Sequence, residues 1–191
     1  MFDHEGRYLR GFGQQGRGKG KFNGPLGLSF TDDGDLVVAD TYNHRVQVVR
    51  EDGTFVRVIE SWGISKDSFQ YPSGICVKPG QDGSIVVADS YNSRVLVFDR
   101  RGMITRSFGS KGYGPGLFIR PFAVAIGVGG EIVVCDPDRQ DVQVFSSEGV
   151  LLQTIGRHGE SRVDLSEVTG LAVDILGRVY VATGERVVML S

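Results

Sequence analysis

Residues 85–98 read IVVADSYNSRVLVF, and the fold can be worked out from this stretch. An apolar run ends in an aspartate, a short polar turn follows, and a second apolar run begins at an arginine. Runs rich in Val, Ile and Phe bounded by turn residues are strands. The same phrase recurs as LVVADTYNHRVQVV at 36–49 and as IVVCDPDRQDVQVF at 132–145, and in decayed form as VYVATGERVVML at 179–190. Asp40 and Asp89 are 49 residues apart, Asp89 and Asp136 are 47 apart, and Asp136 and Thr183 are 47 apart. A fixed period of that length marks a repeat architecture.

Working outward from the central pair, each repeat holds four apolar runs separated by Gly, Asp, Asn and Pro. Asp33-Gly34, Asp52-Gly53, Asp82-Gly83 and Glu148-Gly149 fit the tight turns of antiparallel hairpins. No stripe at helical spacing is present. The runs are apolar without alternation (Leu36-Val37-Val38-Ala39, Ile85-Val86-Val87-Ala88), so both faces of each sheet should be covered. Four-stranded meanders stacked face to face around an axis meet that demand, which predicts an all-β β-propeller. Small residues recur in the first strand, at Ser29, Cys76, Ala125 and Ala172, as expected of strands crowded at the axis.

Residues 1–191 are expected to form a single domain, with repeats at 24–70, 71–119, 120–166 and 167–191. Residues 1–23 match the fourth strand of a repeat and are expected to close the last blade. Net charge is −2, so any polyanion site must be a local patch. No apolar run is long enough for a membrane span and no signal peptide is evident, so no membrane partner is expected. Cys76 and Cys135, in strands of different repeats, read as buried thiols, which favours a cytoplasmic location.

The unit built on Pro25, Gly27, Gly34, Val38, Ala39, Asp40, Asn43, Arg45, Val46 and Gln47 resembles the NHL repeat. Its second copy matches through Pro72, Gly74, Ala88, Asp89, Asn92, Arg94 and Val95. The closest resemblance is to the propellers of tripartite-motif (TRIM-NHL) proteins. Those have six blades as a rule, so four repeats imply a partial, open or strained ring. The resemblance implies a non-catalytic module that binds RNA or protein. Ubiquitin-ligase chemistry would need a RING domain, and two isolated cysteines build no such zinc site.

In a propeller, the connectors from fourth to first strand and from second to third strand share one face. That face should collect Lys19, Lys21, Phe22, Tyr42, Asn43, His44, Arg45, Tyr91, Asn92, Arg94, Arg120 and Arg139. Basic groups interleaved with aromatics suit single-stranded or stem-loop RNA, cations tracking phosphates and rings stacking on bases. The alternative is a protein-interaction propeller that recruits substrates or scaffolds for a ligase. Within the same set, Asp40 with Arg45 and Asp89 with Arg94 flank one connector in register and read as structural braces. His4, His44 and His158 lack metal-ligand spacing, and the histidine set of the NHL-like zinc lyases is missing. The glycine-rich stretch 11–20 lacks the Lys-Ser/Thr ending and following helix of a phosphate loop. No catalytic residue, metal, cofactor or small-molecule substrate is expected.

Overall fold

The structure is a computed structural model that describes residues 1–59, 68–80, 82–156 and 164–190. Blade one is the meander β1 (Pro25–Phe30), β2 (Leu36–Asp40), β3 (Arg45–Val49) and β4 (Phe55–Ile59). Blade two is β5 (Pro72–Val77), β6 (Ile85–Asp89), β7 (Arg94–Phe98) and β8 (Ile104–Phe108). Blade three is β9 (Ala123–Ile126), β10 (Ile132–Asp136), β11 (Asp141–Phe145) and β12 (Leu151–Ile155). Blade four, among the described residues, has three strands: β13 (Gly170–Val173), β14 (Val179–Ala182) and β15 (Val187–Leu190). All pairings between these strands are antiparallel. The only helical segments among the described residues are single 3-10 turns at Thr41–Asn43 and Ser90–Asn92. The chain is an all-β propeller.

The inner strands pack in chain order, β1 against β5, β5 against β9 and β9 against β13. Successive side chains of a strand point to opposite faces, and here each face meets a different blade. Val37, Ala39, Val46 and Val48 of blade one pack against Ile75, Val77, Ile85, Val87, Leu96 and Phe98 of blade two. The remaining residues of blade two, Val86, Ala88, Val95 and Val97, turn the other way onto Val124, Ile132, Val134 and Phe145. This is why the strands read as unbroken apolar runs.

Hydroxyl groups of the turns strap neighbouring blades together near the axis. Thr41 Oγ1 donates to the Pro72 carbonyl at 2.7 Å, and Ser90 Oγ donates to the Pro121 carbonyl at 2.7 Å. The equivalent position in blade three is Pro137, which has no hydroxyl to offer blade four. Ser29 of the small-residue column accepts the Val77 N–H across the first interface at 3.1 Å.

The N-terminal segment lies where its similarity to a fourth strand does not place it. Residues 1–10 fold back on themselves, with Phe2 bridged to Tyr8 and the Met1 amine donating to the Arg10 carbonyl at 2.7 Å. Arg10 then pairs with Glu51, in the β3–β4 hairpin of blade one, at 3.3 Å. The segment is no part of the β13-β14-β15 sheet. Leu28 and Phe30 of β1 and Val187 and Met189 of β15 are exposed.

Candidate functional site: the connector face

The Asp–Arg pairs predicted from register are formed, through one N–H each instead of a two-pronged fork. Arg45 Nε donates to Asp40 Oδ2 at 2.7 Å, and Arg94 Nε to Asp89 Oδ2 at 2.7 Å. Both aspartates are fully buried. Asp40 also accepts the Asn23 N–H at 2.7 Å, and Asp89 the Gln70 N–H at 2.7 Å. Burial pushes the Asp89 carboxyl above its ordinary value, while bonds from Asn92, Gln70 and Arg94 pull it back.

The guanidinium of Arg45 does more than pair. Nη1 donates to the Arg17 carbonyl at 2.9 Å, and Nη2 to the Gly18 and Lys21 carbonyls at 2.8 Å each. Buried Gln47 adds its own bonds, accepting from Gly20 N at 3.1 Å and donating to the Lys21 carbonyl at 2.9 Å. The glycine-rich connector has few side chains of its own and exposes carbonyls. Its conformation is set by this fork of donors.

Blade three keeps the brace with its charges exchanged. Asp141 stands where Arg45 and Arg94 stand, and Arg139, from the preceding turn, supplies the guanidinium. Arg139 Nη2 donates to Asp141 Oδ2 at 2.6 Å, and Nη1 donates to the Gly112 and Gly114 carbonyls at 3.0 Å each. Arg139 is buried, so it locks the connector and does not reach outward as a contact residue. Asp136 is left with backbone donors only, from Ile119, Arg120, Asp138 and Arg139. Burial raises its carboxyl above the usual range against the pull of those N–H groups.

The other expected contact residues divide by what holds them. Asn43 Nδ2 donates to the Gly16 carbonyl at 2.8 Å and to Asp40; Asn92 Nδ2 donates to the Ser68 carbonyl at 3.0 Å and to Asp89. Both amides fasten connectors. Phe22 packs on Leu36, Val38 and Val49 of blade one, a packing role and not an exposed one. Lys19 lies over the Phe55 ring of β4 with its ammonium 5.4 Å from the centroid, toward the outer edge of blade one. Lys21 is exposed, with its aliphatic stem over Gly16 and Gly18. His158 lies outside the described residues.

What remains exposed is an aromatic cluster spanning blades one and two. Tyr71 is its hub, with ring centroids 6.0 Å from Tyr42, 4.3 Å from His44 and 4.6 Å from Tyr91. His44 Nδ1 accepts the Tyr71 N–H at 3.2 Å, tying the two blades together. A cavity of about 480 Å³ opens beside the rings, lined by Tyr42, Tyr71, Tyr91, Arg120, Ser73 and Ser90 among others. Arg120 is half-exposed there and held by Asp138 at 2.7 Å.

Tyr71 was not singled out in the sequence, and its backbone explains why it matters. Its φ is +51°, in the left-handed region, where blade one has Gly24 at +56°. A left-handed residue with a side chain costs about 1–2 kcal/mol. Glycine would avoid that cost and forfeit the ring. The positional match of Tyr71 to Gly24, both before a proline, was the available signal.

The NHL repeat family model matches residues 22–49 and 69–98, the two repeats with an intact Asp–Arg brace. These two segments of the propeller are NHL repeats. Among curated relatives, it is 48% identical over 44 residues to the B-box type zinc finger protein ncl-1 of Caenorhabditis elegans. That match covers 23% of this chain and 5% of the relative. It is 33% identical over 66 residues to the Protein brain tumor of Drosophila melanogaster, covering 35% of this chain and 6% of that one. Each match thus covers only about one-twentieth of the relative's length.

Solved structures with the same fold include a gluconolactonase from Xanthomonas campestris (TM-score 0.67, 19% identity), matched over 99% of this chain and 63% of that one. A virginiamycin B lyase from Staphylococcus aureus (TM-score 0.62, 14% identity) matches over 86% and 54%. At such identities the likeness concerns the fold alone. Among the described residues, no group of three or more His, Cys, Asp or Glu side chains is placed to hold a metal ion. Among the described residues, no helix is long and apolar enough to cross a membrane.

Proposed function

We propose that this chain is a non-catalytic binding module that takes single-stranded RNA across its connector face, in the cytoplasm. The observation that carries the reading is the Tyr42–Tyr71–Tyr91 cluster beside Arg120, with its hub ring held at a left-handed backbone position. Strain of that kind persists where a side chain is needed in one place. Unstacked bases offer π-faces of matching size, and the guanidinium offers a phosphate partner. Similarity to the ncl-1 and brain tumor proteins fits a binding module of either kind, for RNA or for protein. The tyrosine rings and the Arg120 cation together favour RNA.

Lys19 and Lys21, on the connector of blade one, supply a second, sequence-independent part of the footprint. Binding of a fluorescent single-stranded RNA followed by anisotropy should weaken steeply with salt as phosphates release counterions. Each phosphate contact on a single strand contributes about 0.7 to the slope of log K against log salt. The Lys19→Ala/Lys21→Ala variant should therefore flatten that slope by about 1.4 and weaken all sequences alike. An unchanged slope removes these lysines from the footprint. No binding by the intact chain leaves recruitment of a protein partner as the function.

A further inference from the structure

Among the described residues, four other than glycine hold a positive φ: His44 at +54°, Tyr71 at +51°, Ser93 at +52° and Gln140 at +60°. Such a backbone favours glycine, so a side chain kept there needs a use. Three of the four share one place in the repeat. His44 and Ser93 cap the 3-10 turns after β2 and β6, their N–H groups on the Thr41 and Ser90 carbonyls. Gln140 ends the corresponding turn of blade three, its N–H on the Pro137 carbonyl. Glycine is the usual residue at a left-handed cap.

All three side chains leave their own blade and bond the connector that leads into the next. His44 Nδ1 accepts the Tyr71 N–H at 3.2 Å, and Ser93 Oγ donates to the Ile119 carbonyl at 2.8 Å. Gln140 Oε1 accepts the Leu165 N–H at 3.0 Å. Glycine would make each turn and lose each bond.

What the first two bonds hold is the exposed part of the connector face. Tyr71 and Arg120 occupy equivalent places, each directly before a proline. Tyr71 is clamped on both sides, its N–H by His44 and the following Pro72 carbonyl by Thr41. Arg120 lies between two held carbonyls, that of Ile119 on Ser93 and that of Pro121 on Ser90. We infer that His44 and Ser93 are positioning residues, which set the Tyr71 ring and the Arg120 guanidinium for the ligand; that the ligand is RNA rests on the function proposed above. His44 acts through the Tyr71 amide, and Ser93 acts from a buried site on the peptide before Arg120.

Two measurements test the inference apart from the RNA reading. In the chain without RNA, His44→Gly keeps the left-handed turn and removes the acceptor, so the Tyr71 N–H should lose protection from hydrogen exchange, followed by NMR. His44→Asn should restore it, because asparagine tolerates the left-handed region and carries its Oδ1 on the same Cγ as Nδ1. With a fluorescent single-stranded RNA, His44→Gly and Ser93→Gly should each weaken binding about 2- to 10-fold, the worth of one hydrogen bond. His44→Asn should bind like the parent. The Ser93→Gly loss should vanish when Arg120 is already alanine, and the His44→Gly loss when Tyr71 is already glycine, because nothing is left to position. Tyr71 exchange that His44→Gly leaves unchanged overturns the inference. So do losses that persist in full in the Arg120→Ala and Tyr71→Gly backgrounds. A parent chain that binds no RNA, with Tyr71 exchange responding as expected, supports the positioning and removes the RNA reading alone.

Discussion

Replacing Asp89 with alanine should cost about 3–5 kcal/mol of folding stability, the range for a buried ion pair that loses one partner. For a chain of this length that corresponds to a fall in melting temperature of about 6–20 °C. Three donors lose their bond to this carboxylate at once: Arg94 Nε, Asn92 Nδ2 and the Gln70 N–H. The guanidinium is the costly one, because a buried cation loses its counter-charge. Asp33→Ala, in an exposed hairpin turn, should change stability by no more than about 0.5 kcal/mol. Circular dichroism melts of the two variants check the contrast. Below its lowered melting temperature the Asp89 variant should bind RNA close to normally. A large affinity loss with an unchanged melt would move Asp89 from brace to contact.

The second large effect is expected at Tyr71, with stability and binding moving apart. Tyr71→Gly relieves a left-handed backbone cost of about 1–2 kcal/mol, against which stand the ring contacts with His44 and Tyr91. Stability should therefore stay level or rise. RNA affinity should fall by about 1–3 kcal/mol, the worth of one base stacked on an aromatic ring. Tyr71→Phe keeps the ring and should bind nearly as well as the parent. A glycine variant that is less stable and binds RNA fully would mean that the ring serves packing between blades.

The repeat and its strands were legible because both are local. Strand, turn and period are written in residues no more than fifty apart, and unbroken apolar runs require cover on two faces. The braces were legible for the same reason, since Asp40 and Arg45 end and begin paired strands directly opposite each other. Arg139 was harder. With Asp141 in the arginine position, the third repeat looks decayed, and its arginine looks free. Only the fold shows that the guanidinium has crossed to the other side of the turn and still holds Gly112 and Gly114. Phe22 looked like a surface aromatic because its burial depends on how the connector folds back over β2 and β3, onto Leu36, Val38 and Val49. Tyr71 depends on a backbone angle and on a neighbour in another blade, neither of which a pattern of residue types reveals. The N-terminal segment carries the right pattern for a fourth strand, but pattern alone does not choose a partner, and it lies by the hairpin of blade one.

The most direct test of the account is ultraviolet crosslinking of a uridine-containing single-stranded RNA to the intact chain, with the attached peptides mapped by mass spectrometry. Crosslinks should fall on the peptides that carry Tyr42, Tyr71 and Tyr91, and should disappear when the three tyrosines are replaced together in a chain that still melts cooperatively. Crosslinks confined to the opposite hairpin face around Asp33, Asp82 and Glu148, or none at saturating RNA, would contradict it.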